Sequence, residues 1–207
     1  MRILLASASP RRRDILSTLG LSFDVCPVDA DESELPGEAP RAYLERVVSM
    51  KLALAHPLAM SRGLDGALVA DTTVVLDDAM LAKPVDEADN ARMVRRLAGR
   101  SHEVMTRFAI SDRSGPAHAE TVVTRVDVKQ LDDDEIAAYV RHGEGRDKAG
   151  GSAIQGLGMF AVTRIDGSYT NVVGLPAAEV VAALRRVGLL RSFPVAGGAD
   201  AGGTGAR

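Results

Sequence analysis

The chain has 207 residues, 46% of them hydrophobic and 26% charged, and carries a formal net charge of −3. That length supports one sizeable core in a soluble domain, and the acidic balance argues against a general nucleic-acid binder. Aromatics make up only 3% with no Trp, which disfavours base-stacking platforms, and the single cysteine, Cys26, excludes an intrachain disulfide and any cysteine-rich zinc site.

No apolar run approaches the roughly 18–20 residues of a membrane span. The run at residues 3–8 is too short for a signal-peptide core, so a cytoplasmic protein without a membrane partner is expected. Residues 3–6 predict a short buried strand. Ser9 is a favoured N-cap and Pro10 suits the first helical position, so a helix is expected from there, with Ile15, Leu16 and Leu19 on its apolar face. Arg11, Arg12 and Arg13 then fall in the first turn, where the helix dipole disfavours cations. Either solvent absorbs that misfit or an anion belongs there, cradled by Ser7, Ser9, free N–H groups, Arg11 and Arg12, with Arg13 left to solvent. Cys26 reads as a small buried hydrophobe.

The acidic loop PVDADESELPGEAP contains Glu32 and precedes a second helix starting near Pro40. Its stripe Leu44, Val47, Val48 is continued by Lys51, which either snorkels or serves a site. The β-branched segment ALVADTTVVL predicts a buried strand ended by a turn at DDAM. Asp71 in that strand is costly unless it reaches solvent, bonds to nearby backbone, or meets a cation that would also activate water. Lys83 follows a second apolar run, just before Pro84. Residues 86–98 predict a helix with Ala91, Val94 and Leu97 inward and Gly99 as its stop.

Strands are expected at 103–110 and 121–128, joined through SDRSGP. DDDE at 132–135 suits a helix start and Gly143 its end. GEGRDKAGGSAIQGLG, with Asp147, Lys148 and Gln155, matches no Walker A loop, although its glycines permit close backbone approach to a ligand. Residues 159–165 and 169–173 predict a hairpin around DGS, and a last helix is expected over about 176–187. Helices and antiparallel strands are intermingled, which predicts an α/β fold with a mixed sheet. One domain over 1–193 and a disordered Gly/Ala-rich tail over 194–207 are expected. His56, His102, His118 and His142 show no metal-ligand spacing, and nothing suggests a Ser-His-Asp or Cys-His nucleophile.

In this order, LASASPRR, Glu32, Lys51, ADTTVVL, KPVDEADNARMVRRLAGRSHEVMT, DKAGGSAIQGLG and YTNVVGLP resemble the Maf family of nucleoside triphosphate pyrophosphatases. The resemblance implies an elongated, twisted mixed sheet flanked by helices, similar to inosine-triphosphate-type pyrophosphatases, and a homodimer. It implies hydrolysis of a nucleoside triphosphate to monophosphate and pyrophosphate with a divalent cation, Mg2+ or Mn2+. By that resemblance Asp71 is the proton acceptor. Glu32, Lys51 and Lys83 surround metal and phosphates, with Asp71 and Glu32 as metal ligands, and Ser7, Ser9, Arg11 and Arg12 cradle the triphosphate. Arg11, Thr72 and Gln155 match the dTTP/UTP subgroup, and modified pyrimidine nucleotides are further candidate substrates. The chain departs from the family pattern at Gly145, where proline is usual, at Ser152, where tyrosine is usual, and at Arg107, where a small residue is common. A non-hydrolysing nucleotide-binding regulator linked to cell division is the alternative, favoured only by Gly145 and Ser152.

Overall fold

Ile3, Leu4 and Leu5 are wholly buried and form β1 (Ile3–Leu5), an internal strand of the sheet. The computed structural model describes residues 1–195. Pro10 starts α1 (Pro10–Thr18), and the Ser9 hydroxyl accepts the Arg12 backbone N–H at 3.5 Å, as the N-cap pattern requires. After β2 (Phe23–Val25), α2 (Pro40–Ser61) buries Leu44, Val47, Val48, Lys51, Leu52, Ala55 and Ala59 on one face. The apolar stripe read from the sequence is therefore real, and a lysine lies inside it.

β3 (Ala67–Leu76) covers the whole ALVADTTVVL segment. Asp77 and Asp78, both at positive φ, turn it into β4 (Ala79–Leu81), a conformation Asp tolerates better than most residues. Then come α3 (Glu87–Leu97), β5 (Ser101–Asp112), β6 (Gly115–Val128) and α4 (Asp133–His142). Two 3₁₀ turns, Ala149–Gly151 and Gly156–Ala161, lead to β7 (Val162–Asp166), α5 (Tyr169–Val173) and α6 (Ala177–Arg186).

The strands form one mixed sheet in the order β2-β1-β3-β5-β6-β7, with β4 also on β3. β1 is parallel to β2 and β3, while every other pairing is antiparallel. One face is covered by α1 and α6, whose Leu16, Val180 and Leu184 pack with Leu68, Phe108 and Leu175. The other carries α2, with Val48, Leu52 and Ala55 against Leu4, Val69 and Ala109. β3, β5 and β6 are long enough to run on past these helices, and their far ends pack with α3 through Leu97 against Val74, Val104 and Val126.

The register leaves a gap that places the site. β1 pairs with β3 only at Ala67 and Leu68, and β4 pairs with it only from Val74 to Leu76. Between them the same edge of β3 has no strand partner among the described residues, and Asp71 and Thr72 lie in that interval.

Two expectations need correction, and two short strands are unanticipated. The short strands β2 and β4 carry too little periodicity to be foreseen. Residues 169–173 form helix α5 rather than the second arm of a hairpin. Ser168 caps that helix by accepting the Asn171 N–H, and buried Asn171 donates to the Val104 carbonyl and the Thr124 hydroxyl, so tertiary contacts override the local β preference. Cys26 is half-buried, with its sulfur 3.1 Å from an Arg62 Nη, instead of being a core hydrophobe. The tail expected from Pro194 onward lies, for residues 196–207, outside the described residues, and Val195 still packs on the first core. Among the described residues, no helix is long and apolar enough to cross a membrane.

Candidate active site

The gap on β3 opens into a cleft of about 780 Å³ whose walls come from both ends of the sheet. Ser7, Ser9, Arg11, Arg12, Glu32, Lys51, Asp71, Thr72, Lys83 and Gln155 all line it. The sequence-derived candidates, spread over most of the chain, are thus brought together in one place.

Lys51 forms the floor. It is 6% exposed, and its ammonium lies 2.8 Å from Asp71 Oδ1 and 2.7 Å from Glu32 Oε1. A buried lysine needs such partners, and two carboxylates around one ammonium leave the trio with a net negative charge. Glu32 belongs to the acidic loop, which α2 holds in place. Tyr43 Oη donates to the Glu32 carbonyl at 3.1 Å, and Arg46 forks onto Glu38 at 2.7 and 2.6 Å while also donating to the Ser33 carbonyl. Desolvation, assisted by the charges of Asp71 and Glu32, pushes the Tyr43 phenol up, so it remains a donor. Sequence reading missed Tyr43; its only signal is a position two turns ahead of Lys51 on α2.

The three arginines of α1 have three different environments. Arg12 folds back onto the sheet. Its Nε donates to the Gly174 carbonyl (2.8 Å), Nη1 to the Ala70 carbonyl (2.8 Å) and Ser7 Oγ (3.1 Å), and Nη2 to Thr72 Oγ1 (3.1 Å). Four of its N–H donors are therefore engaged internally, and a fifth on Nη2 is left for a ligand. The Ala70 carbonyl is on the strandless edge of β3, so Arg12 replaces the missing strand there. Burial lowers the Arg12 pKa while Asp71 and Glu32 oppose that shift, and a guanidinium stays charged regardless. Arg11 faces the cleft and lies 3.6 Å from Asp147 of the glycine-rich loop. Arg13 points to solvent beside Asp14, as expected.

Thr72 Oγ1 also pairs with Thr106 Oγ1 at 2.9 Å, so its hydroxyl belongs to an internal network. Lys83 is exposed on the rim and makes no ion pair with a described residue. Gln155 is exposed at the cleft, just before the second 3₁₀ turn. Asp147 and Lys148 stand on the same loop, paired at 2.6 Å. Burial alone would raise the Asp147 carboxyl, but Lys148 and Arg11 outweigh it and hold it below the usual carboxylate range. Among the three departures from the family pattern, Ser152 lines the cleft. Arg107 sits opposite Asp71 on β5 but is turned toward Thr121 (2.9 Å) and Glu45 (3.5 Å), outside the cleft lining. Gly145 is buried within the glycine-rich loop and is likewise outside that lining.

No group of three or more His, Cys, Asp or Glu residues among those described could enclose a metal ion by itself. Glu32 and Asp71 each present a second carboxylate oxygen that no described residue engages. Hard oxygen donors of this kind fit Mg2+ or a similar ion, which commonly takes one or two carboxylates and completes its shell with water and substrate phosphates.

A model of the family described as Maf-like protein matches residues 2–187. A protein of Geobacter sulfurreducens named dTTP/UTP pyrophosphatase is 50% identical over 190 residues, covering 91% of this chain and 98% of its own. Its namesake from Geobacter metallireducens is 47% identical over 190 residues, covering 91% and 97%. Among solved structures, a HAM1 protein from Coxiella burnetii aligns over 90% of this chain and 98% of its own, with a TM-score of 0.51 at 14% identity, a likeness of fold alone. With the ordered motifs in one cleft and the family match spanning nearly all of the described residues, the chain belongs to the Maf family.

Proposed function

We propose that this protein hydrolyses nucleoside triphosphates to the monophosphate and pyrophosphate, with dTTP and UTP as substrates. The observation that carries the reading is the Asp71–Lys51–Glu32 cluster facing the Arg11 side of a helix N-terminus across one cleft, in a chain half identical to a protein named for that activity. The helix start after Ser9, together with Arg11 and the free Nη2 donor of Arg12, suits phosphate oxygens. Asp71, oriented by Lys51, takes the proton of a water attacking the α-phosphorus, and the arginines and Lys83 offset charge on the departing pyrophosphate. Glu32 and Asp71 would hold a divalent cation, Mg2+ or Mn2+, and such an ion supplies charge neutralisation at phosphate and a more acidic water. Gln155 offers an amide to the edge of a pyrimidine, including a modified one. The family resemblance supports a cytoplasmic homodimer.

Incubation with a panel of triphosphates and Mg2+ or Mn2+ tests this directly. Pyrophosphate and monophosphate are expected from dTTP and UTP. Release of inorganic phosphate contradicts attack at the α-phosphorus, and binding without turnover favours a regulator linked to cell division instead. Asp71→Asn keeps the size of the side chain but removes the base, and is expected to slow turnover about 10²–10⁴-fold. Near-full activity in that variant takes the role away from Asp71.

A further inference from the structure

The glycine-rich loop carries Asp147, Lys148 and Gln155 to the cleft; Gly150 N–H ties it to the Ala82 carbonyl at 3.0 Å, and a buried joint on α3 holds it from the other side. Asn90 is completely buried, and its Nδ2 donates to the Gly151 carbonyl at 2.7 Å. The fit around that amide leaves no room. A Cβ on Gly151, at φ +66°, would come within 2.2 Å of Asn90 Nδ2. A Cβ on Gly145 would lie 1.9 Å from the Gly151 carbonyl oxygen and 3.2 Å from the same Nδ2. A second tether lies one turn earlier on α3, where Glu87 pairs with Arg146. The loop is also closed on itself, because the Glu144 carboxylate accepts the N–H groups of Leu157 (2.9 Å) and Gly158 (2.7 Å).

Packing alone does not account for Asn90. Its Oδ1 is buried with no partner among the described residues, so the side chain bears the desolvation of an amide for a single hydrogen bond. Nearby Ala91 and Val94 pack into an apolar cluster, where a small apolar residue would suffice. We propose that Asn90 is a positioning residue: its amide locks Gly145 and Gly151 against α3, and so sets where Gln155, Asp147 and Lys148 stand at the cleft. Gly145 is required by this joint, which explains why the chain carries glycine there. The kinetic part of the proposal rests on the pyrophosphatase reading above; the structural part does not.

The test is Asn90→Ala, Gly145→Ala and their combination. Without nucleotide, hydrogen exchange of the amides over 144–155 is expected to quicken about tenfold in Asn90→Ala. With dTTP or UTP, KM is expected to rise about tenfold while kcat stays within about twofold, because only ground-state positioning is lost. In the combined variant the two effects fall short of additive, since both substitutions release the same contact. Unchanged exchange, additive effects, or a fall in kcat at constant KM overturns the proposal. Should Asn90→Ala fail to fold, Gly145→Ala perturbs the joint from the loop side with α3 intact, and the same exchange and KM shifts are required of it. A wild-type protein that turns over no triphosphate removes the proposed function, while the exchange measurement still decides the joint.

Discussion

Arg11, Arg12 and Arg13 are adjacent in sequence and differ in kind. The dipole of α1 disfavours all of them, yet Arg12 escapes the misfit by bending back to acceptors on β3, on Ser7 and after α5. Lysine cannot reproduce that planar fork. Arg12→Lys is therefore expected to lower stability by about 1–3 kcal/mol, because the Ala70 and Gly174 carbonyls lose donors, and a urea unfolding midpoint reads the loss directly. Among the described residues, Arg11 pairs only with Asp147, at 3.6 Å. Arg11→Ala is expected to leave stability within about 0.5 kcal/mol and to raise KM for triphosphates strongly. Unchanged KM and kcat would return Arg11 to a merely solvated role. Sequence alone marked the run as an electrostatic problem and left Arg13 to solvent, but it could not separate Arg11 from Arg12, since that separation depends on which carbonyls the fold leaves free.

Among the elements, periodicity and capping were the legible features. The α2 stripe, the β3 segment and the start of α4 all lie where their residue patterns put them. α4 opens with a complete capping box, in which Asp132 accepts the Glu135 N–H at 2.8 Å and Glu135 accepts the Asp132 N–H at 3.2 Å. Asp132→Ala is expected to cost about 1 kcal/mol, measured as a lowered urea midpoint with an unchanged slope. Where the pattern misled, a tertiary partner was responsible. The β-branched run at 169–173 turns helical because Asn171 is held under the sheet by Val104 and Thr124. β2 and β4 are only three residues each, too short for alternation to register, and exist because β1 and β3 offer them edges.

At the scale of the whole molecule, burial makes stability depend on pH through His102. This residue is 6% exposed on β5, its Nδ1 has no partner among the described residues, and desolvation holds its pKa down to about 4, with Asp127 pulling the other way. The unfolded chain has the ordinary value near 6.5, so between about pH 6.5 and 4 the unfolded state binds more protons and stability falls as pH falls. The contribution is fully present above that window. From this group the protein is expected to be about 2 kcal/mol less stable at pH 5 than at pH 7. His102→Gln should flatten that dependence in urea unfolding at the two pH values, whereas an unaltered slope would locate the acid sensitivity elsewhere.

By itself, the sequence determined the mixed α/β class, the main helices and long strands, and a set of charged residues whose order resembles one family. These follow from local causes: side-chain periodicity, capping and the cost of a charge in an apolar stripe. Only the tertiary structure decided how the set is used. The strandless stretch of β3 is a matter of register between distant segments, and it draws Arg12 inward to the Ala70 carbonyl. The ammonium of Lys51 lies between Asp71 and Glu32 only because α2, β3 and the acidic loop converge. Asn90 looks like an ordinary helix residue in sequence. Its weight comes from Gly145 and Gly151, more than fifty residues away, where a Cβ would crowd the amide or the carbonyl it holds.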